Sequence, residues 1–178
     1  MVEAIVGGKS MGRVIRVLSA GKDHTDMLPI FRSLVLNSGA KDGDLLIWAG
    51  CPGLCYAMAT FFSFSLRDLG LNLYFAVDAD ISKLWRLELE NDLGFVATRK
   101  EGPIQAKVIV LMSGLVTVPF ENVRRLVSEN LAYDGIIVGE SVIPGLFENV
   151  KWHEQIPFRF IFEFSMERPT ALEVKEIP

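Results

Sequence analysis

The strongest constraint on the fold is a short apolar segment, residues 45–49 (LLIWA), that runs directly into a glycine-rich turn, residues 50–55 (GCPGLC). The segment does not alternate between polar and apolar residues, which is typical of a strand covered on both faces, as in a parallel sheet. Gly50 allows a sharp exit from the strand, and Pro52 fits the first position of a helix, where its missing N–H costs nothing. The sequence therefore predicts a buried strand, a tight turn and a helix that begins at Pro52, with Cys51 as its N-cap residue.

This turn contains both cysteines of the chain and offers two kinds of chemistry. The backbone N–H groups of Gly53, Leu54 and Cys55 are expected to be free, and together with the helix dipole they favour a bound anion. Alternatively, a thiol near a helix N-terminus has a lowered pKa, so that Cys51 or Cys55 can act as a reactive thiolate. A third interpretation is purely structural, because free cysteines are often buried as small apolar residues.

The spacing of the cysteines limits the metal and redox sites that one chain can form. C-x3-C differs from the C-x-x-C of thioredoxin-like sites, and the sequence has no second cysteine pair to complete a zinc or iron–sulfur site. Four thiolates would require a homodimer. Neither His24 nor His153 has a metal-ligand spacing to the cysteines, so we predict no metal site, and a pairing of Cys51 with His153 is left as a minor alternative.

Length and composition indicate one globular domain that spans residues 1–178. Half of the residues are hydrophobic, enough for a sizeable core, and the formal net charge of −4 argues against nucleic acid as the main partner. Two cysteines without a signal peptide predict a reducing, cytoplasmic location. Residues 45–66 carry no charge, but the Gly-Cys-Pro-Gly break in this stretch disfavours a membrane span.

Apolar segments along the chain predict the strands. They are expected at residues 13–18, 45–49, 71–77, 107–112, 135–138 and 158–164, with weaker ones at 95–98 and 171–177. Residues 158–164 alternate strictly between phenylalanine and other side chains, which indicates a half-exposed strand that is antiparallel or lies at a sheet edge.

Amphipathic segments between the strands predict the helices. They are expected from Asp23 or Thr25 to about residue 37, and at residues 52–69, 81–92 and 119–131. Residues 85–89 also alternate in polarity, so a strand is the alternative there. This order of elements predicts a three-layer α/β sandwich around a mainly parallel sheet, flavodoxin-like or Rossmann-like, with an antiparallel strand at its C-terminal edge.

Three of the predicted strands end in small or polar residues, and this pattern places the candidate site. In an open parallel sheet the carboxyl ends of the strands lie along one edge, where ligands bind. We therefore expect the ends of three strands to meet at the cysteine turn. The candidate ligand-binding residues are Gly50, Cys51, Gly53, Leu54, Cys55, Ser113, Gly114 and Glu140. For Glu140, a solvated loop carboxylate is favoured over a general base.

The leading functional hypothesis is the binding of a small anionic ligand or nucleotide at the turn. The glycine pattern of dinucleotide-binding proteins is absent, and Asp80 is interpreted as a helix cap rather than a ribose ligand. One alternative is a thiol redox or metal protein that uses Cys51 and Cys55. The other is a non-catalytic assembly subunit, for which the phenylalanines at positions 61, 62 and 64, expected in the core, would supply an interface if exposed. No catalytic residue or cofactor is predicted, and whether the protein is an enzyme stays open.

The segment from Leu46 to Asp68, with its strand, its Gly-Cys-Pro-Gly-x-Cys turn and its apolar helix, resembles an uncharacterised archaeal family found largely in methanogens. The layout and length of the chain are similar to that family as well. The resemblance implies a cytoplasmic archaeal protein. It brings neither a reaction nor catalytic residues with it.

Overall fold

Nine strands and five α-helices make up the part of the chain that this computed structural model describes, residues 13–100, 102, 104–164 and 169–176. The strands are β1 (Arg13–Ala20), β2 (Leu45–Gly50), β3 (Asn72–Val77), β4 (Leu84–Glu90), β5 (Gly94–Lys100), β6 (Ala106–Met112), β7 (Leu131–Ser141), β8 (Phe158–Phe164) and β9 (Pro169–Glu176). The helices are α1 (Met27–Asn37), α2 (Leu54–Phe64), α3 (Phe120–Asn130), α4 (Leu146–Asn149) and α5 (Trp152–Gln155). Short 3-10 turns occupy His24–Asp26, Ile81–Lys83 and Ser113–Thr117.

All of these strands belong to one mixed sheet in the order β1-β9-β8-β7-β6-β2-β3-β4-β5. The five central strands, β8-β7-β6-β2-β3, are parallel, whereas the two outer pairings on each side are antiparallel. The expectation of a mainly parallel sheet therefore holds only for the centre. The strand at 158–164 was expected to be half-exposed and either antiparallel or at an edge. It does pair antiparallel with β9, but it is largely buried and not at an edge, because β9 and then β1 extend the sheet beyond it.

Helices cover both faces of the sheet, as a three-layer sandwich requires. On one face α1 and α2 pack around Phe31, Trp48 and Phe62. On the other face α3, α4 and α5 contribute to a second cluster that includes Phe147 and Trp152. In β2 the side chains at positions 46–49 alternate between the two clusters and are all fully buried. This explains the continuous apolar segment, since burial of each large side chain stabilises the fold by about 1.5–3 kcal/mol.

Two predicted helices differ from the observed elements. Residues 81–92 form a 3-10 turn followed by β4, as the alternative interpretation of this segment held, and the Asp80 carboxylate accepts a hydrogen bond from the Ser82 N–H at 3.0 Å. Helix α2 begins at Leu54, with Gly53 as its N-cap residue, and ends at Phe64. The start at Pro52 and the N-cap role of Cys51 are therefore wrong, because residues 51–53 form a turn that precedes the helix.

Other boundaries lie close to the predicted ones. Strand β7 is longer than residues 135–138 because it begins directly where α3 ends. The final strand, predicted at 171–177, is observed as β9, and residue 177 lies outside the described residues. Among the described residues, no helix is both long enough and apolar enough to span a bilayer.

Candidate functional site

The two cysteines face each other where β2 passes into α2. Cys51 follows the last residue of β2 and is partly exposed, whereas Cys55 lies in the first turn of α2 with 5% of its surface exposed. Their Sγ atoms are 3.2 Å apart, and both thiols are free. A disulfide bond has a length of about 2.0 Å, so a small displacement of one side chain would join the two sulfurs.

The surroundings of the two sulfurs make the Cys51 thiol more acidic and the Cys55 thiol less acidic. Partial burial and the Asp78 carboxylate act to raise the pKa of Cys51, but the backbone N–H groups of Cys55 and Gly53 and the Cys55 thiol donate hydrogen bonds to its sulfur, and the net effect lowers its pKa. Burial, reinforced by the hydrogen bond with Cys51, raises the pKa of Cys55 to about 12, although the Gly114 N–H acts in the opposite direction. Cys51 is therefore the thiol that ionises first.

The two sulfurs fit into this site because Gly50 and Gly114 have no side chains there. A Cβ atom on Gly114 would lie 2.5 Å from the Cys55 Sγ and 3.0 Å from the Cys51 Sγ. A Cβ atom on Gly50 would overlap with the Cβ of Cys55. Gly50 ends β2 and Gly114 follows β6, and these two strands are parallel neighbours. The structure thus brings the strand exits at 50 and 113–114 together around the thiols.

The exit from β3 carries an unusual backbone conformation beside the thiols. Asp78 and Ala79 both have left-handed backbone torsions, with φ values of 56° and 57°. The Asp78 N–H donates a hydrogen bond of 2.9 Å to the carbonyl oxygen of Gly50, which fixes this exit against that of β2. Such residues cost about 1–3 kcal/mol each and are concentrated at functional sites. They hold the Asp78 carboxylate near Cys51, where it raises the thiol pKa.

An apolar groove of about 290 Å³ is lined in part by Pro52, the residue that follows Cys51 in the chain. One wall comes from the turn and the first part of α2, and the other comes from strands β3, β4 and β5. The Tyr56 hydroxyl accepts a hydrogen bond from the Ala97 N–H at 3.0 Å, which ties α2 to β5. The residues that line the groove are Pro52, Tyr56, Phe75, Val77, Trp85 and Ala97.

Glu140 does not have the solvent-exposed position that its place at a strand end suggested. Only 1% of its surface is exposed, because its position in β7 lies between β6 and β8 and not in a loop. Burial raises the pKa of Glu140 to about 8, while a hydrogen bond from the Ser113 N–H opposes this shift. The Oε1 atom has no hydrogen-bond partner.

The remaining candidate residues lie around the same turn. Gly53 and Leu54 are exposed at the start of α2, and Ser113 begins the 3-10 turn after β6. The sequence predicted neither a role for Asp78 in the thiol site nor the groove. The acidic residues that follow the strand at 71–77 were a signal for Asp78. Within the described part of the chain, no three His, Cys, Asp or Glu side chains stand close enough to hold a metal ion.

Comparison with known proteins places the chain in a family. Residues 24–167 match an uncharacterized protein family conserved in archaea, DUF2124. The chain belongs to this family. The resemblance to an uncharacterised archaeal family is thereby confirmed. The family description names no reaction, ligand or partner.

Relatives of known sequence and structure come from methanogens. The chain is 29% identical over 144 residues to an uncharacterized protein of Methanothermobacter thermautotrophicus, covering 77% of this chain and 84% of that protein. It is 24% identical over 153 residues to uncharacterized protein MJ1183 of Methanocaldococcus jannaschii, covering 84% of this chain and 89% of that protein. A crystal structure of a protein of unknown function from Methanothermobacter thermautotrophicus has a TM-score of 0.68 and 25% identity, covering 78% of this chain and 86% of that one. These similarities support the α/β fold.

Proposed function

We propose that this protein carries out thiol–disulfide exchange, with Cys51 as the attacking thiol and Cys55 as the resolving thiol. The observation that carries the proposal is the 3.2 Å separation of two free sulfurs in opposite environments. Cys51 is accessible and has a lowered pKa, whereas Cys55 is buried and its pKa is raised to about 12. Because the thiolate is the nucleophile, this asymmetry assigns the order in which the two cysteines react.

The exchange has two steps. The Cys51 thiolate attacks one sulfur of a substrate disulfide, the substrate S–S bond breaks, and the departing sulfur takes up a proton. Cys55 then loses its proton and attacks the Cys51 sulfur, which releases the second substrate sulfur and leaves a Cys51–Cys55 disulfide. The substrate gains two electrons and the protein loses two. A thiol reductant must return the protein to the dithiol form, as is available in the cytoplasmic location that the sequence predicts.

The groove gives the substrate class. Its lining is apolar and aromatic and includes Pro52, the residue that follows Cys51 in the chain. A disulfide with an apolar or aromatic substituent would bury that group in the groove while one of its sulfurs approaches Cys51. Trp85 in the lining provides a fluorescence signal for such binding.

The same geometry favours thiol chemistry over the binding of a small anion. The N–H groups of Gly53 and Cys55, which an anion would use, already donate to the Cys51 sulfur. The Asp78 carboxylate beside this sulfur would also repel an anion. The site would lie at the carboxyl ends of parallel strands, as the binding sites of flavodoxin-like and Rossmann-like folds do.

Exchange is tested with anaerobically reduced protein and an aromatic disulfide that releases a coloured thiol. We expect each wild-type molecule to release two equivalents of the coloured thiol and to lose both of its titratable thiols. Cys51→Ser should slow the release at least 100-fold, and Cys55→Ser should stop at one equivalent with a mixed disulfide detectable by mass. Ala57→Ser, at an exposed position of the same helix, is the control and should react like the wild type.

Two results would contradict this function. One is a Cys51→Ser variant that reacts as fast as the wild type. The other is stoichiometric metal in protein purified without oxygen, with both thiols blocked, since the cysteines would then be ligands.

A further inference from the structure

Glu140 is a buried carboxyl group whose hydrogen bonding is incomplete. One of its oxygens has no hydrogen-bond partner, and its surface is 1% exposed. A buried polar atom without a partner costs about 1–3 kcal/mol, and an apolar residue of similar size would remove this cost. A buried carboxyl group with this unmet cost is a candidate for a chemical role.

Glu140 lies on the same face of the sheet as the thiols. It pairs with Met112 across β6 and β7, and Met112 belongs to the cluster beneath α1 and α2 together with Cys55. A Cβ atom on Gly50 would lie 3.1 Å from both the Cys55 Sγ and the Met112 Sδ. Since neighbouring strands are about 4.8 Å apart, the α-carbon of Glu140 is roughly 10 Å from that of Gly50.

One peptide unit connects the carboxyl group with the buried thiol. The Ser113 N–H donates a hydrogen bond to the Glu140 carboxylate, and the N–H of the next residue, Gly114, donates to the Cys55 sulfur. Gly114 has no side chain that could fill the space next to this sulfur. Hydrogen-bonded water can carry a proton along such a path.

The resolving step of the exchange requires a base at this place. Cys55 is shielded from solvent, so its proton must leave toward a group inside the protein. During resolution Cys51 is part of the mixed disulfide and cannot accept a proton. Asp78 lies on the side of Cys51. From the adjacent strands Glu140 faces Met112 and Phe162, neither of which titrates.

We propose, on the basis of the exchange function above, that Glu140 accepts the proton of Cys55 when the mixed disulfide is resolved. The Cys55 S–H bond breaks and its proton passes through hydrogen-bonded water to the Glu140 carboxylate. The bond between the sulfurs of Cys55 and Cys51 forms, and the bond between Cys51 and the substrate sulfur breaks. The departing thiolate is protonated, and Glu140 gives up its proton again before the next turnover.

The test separates the two steps of a single turnover with the same aromatic disulfide. The first equivalent of coloured thiol reports the attack by Cys51, and the second reports resolution by Cys55. In Glu140→Gln we expect the first phase to remain within twofold of the wild type. The second phase should slow by roughly 100-fold, which is a typical contribution of a general base. We expect the second phase of the wild type to become faster near pH 8, and Glu140→Gln should lose this increase.

Two further variants keep the outcome clear. Glu163→Gln changes another buried carboxyl group, one that accepts the Gly145 N–H at 2.7 Å, and should leave both phases unchanged. Glu140→Asp keeps the carboxyl group on a shorter side chain, so its second phase should be faster than that of Glu140→Gln and slower than that of the wild type. If Glu140→Gln does not fold, selective slowing of the second phase in Glu140→Asp is the test.

Equal slowing of both phases in Glu140→Gln, or a wild-type second phase with an unchanged pH profile, would overturn the role of Glu140 but leave the exchange function standing. Failure of the exchange function itself shows differently, as release that is insensitive to Cys51→Ser. Because Glu140 assists only the resolution by Cys55, that result would overturn this proposal as well.

Discussion

Two cysteines four positions apart acquire different acidities because their sulfurs meet different backbone groups. The N–H groups at the start of α2 point toward the Cys51 sulfur, whereas Cys55 is enclosed beneath the helix. The N–H groups at the helix N-terminus therefore favour the ionised form of Cys51 over that of Cys55.

Replacement of Asp78 should make Cys51 more acidic. In Asp78→Asn the negative charge that raises the Cys51 pKa is lost, so we expect this pKa to fall further below its ordinary value. Asparagine tolerates the left-handed conformation of this position. The measurement is the pH dependence of Cys51 alkylation, followed by mass spectrometry. Asp80→Asn is the matched control, and a Cys51 pKa that is the same in Asp78→Asn as in the wild type would contradict the prediction.

The buried Glu140 should make the protein less stable as the pH rises. Its pKa is raised from 4.5 to about 8, so between these values the folded state holds a proton that the unfolded state has released. The free energy of unfolding therefore falls with increasing pH across this interval, by at most about 5 kcal/mol. Glu140→Gln has no carboxyl group to ionise, so its free energy of unfolding should depend much less on pH over this interval.

Urea denaturation at pH 5, 6.5 and 8 measures this effect. The difference in the free energy of unfolding between Glu140→Gln and the wild type should grow in favour of the variant as the pH rises. Parallel pH profiles of the two proteins would show that Glu140 is already ionised in the folded state at pH 5.

Helix α2 is held in place by its inner side, and this positions Cys55. The Trp48 indole N–H donates to the Ser63 hydroxyl at 3.0 Å, and the Phe62 ring packs against those of Phe31 and Trp48. The phenylalanines of this helix were expected in the core. This holds for Phe62, whereas Phe61 and Phe64 are each 43% exposed, so the prediction is wrong for these two.

Truncation of Phe62 should be far more harmful than truncation of Phe61. Phe62→Ala leaves a cavity at the centre of an aromatic cluster and should lower the free energy of unfolding by about 3–5 kcal/mol. Phe61→Ala removes a ring that is nearly half-exposed and serves as the control, with an expected loss below about 1 kcal/mol. Denaturant unfolding of both variants at one pH gives the comparison. Similar losses would mean that Phe61 is covered in solution, for example by a second copy of the chain.

The segment 81–92 shows where local patterns mislead. Its apolar residues fit one face of a helix as well as an alternating strand, so the sequence offered both interpretations. Pairing with β3 decides the outcome, because Trp85 lies opposite Phe75 and Leu87 lies opposite Leu73. Trp85 thereby becomes part of the apolar groove.

Across the entire chain, the order of the strands assembles the site. Strands β3, β2, β6 and β7 are parallel neighbours although β6 lies more than fifty residues after β2. Their carboxyl ends meet at one edge, which brings together the cysteine turn, Asp78, Gly114 and Glu140. Antiparallel strands flank this parallel centre on both sides, and β4 and β5 add the second wall of the groove.

The sequence was sufficient where the controlling interactions are local. A continuous apolar segment, two glycines and a proline specify the buried strand β2 and a tight turn into a helix, since backbone freedom and burial on both faces leave few alternatives, although the helix begins two residues later than the proline indicated. The pairing of the sulfurs, the closure of the site by Gly114 and the burial of Glu140 depend on contacts between residues far apart in the chain. No local pattern encodes those contacts. Only the packed sheet fixes which strand ends are neighbours, and therefore which thiol is acidic and which carboxyl group is buried.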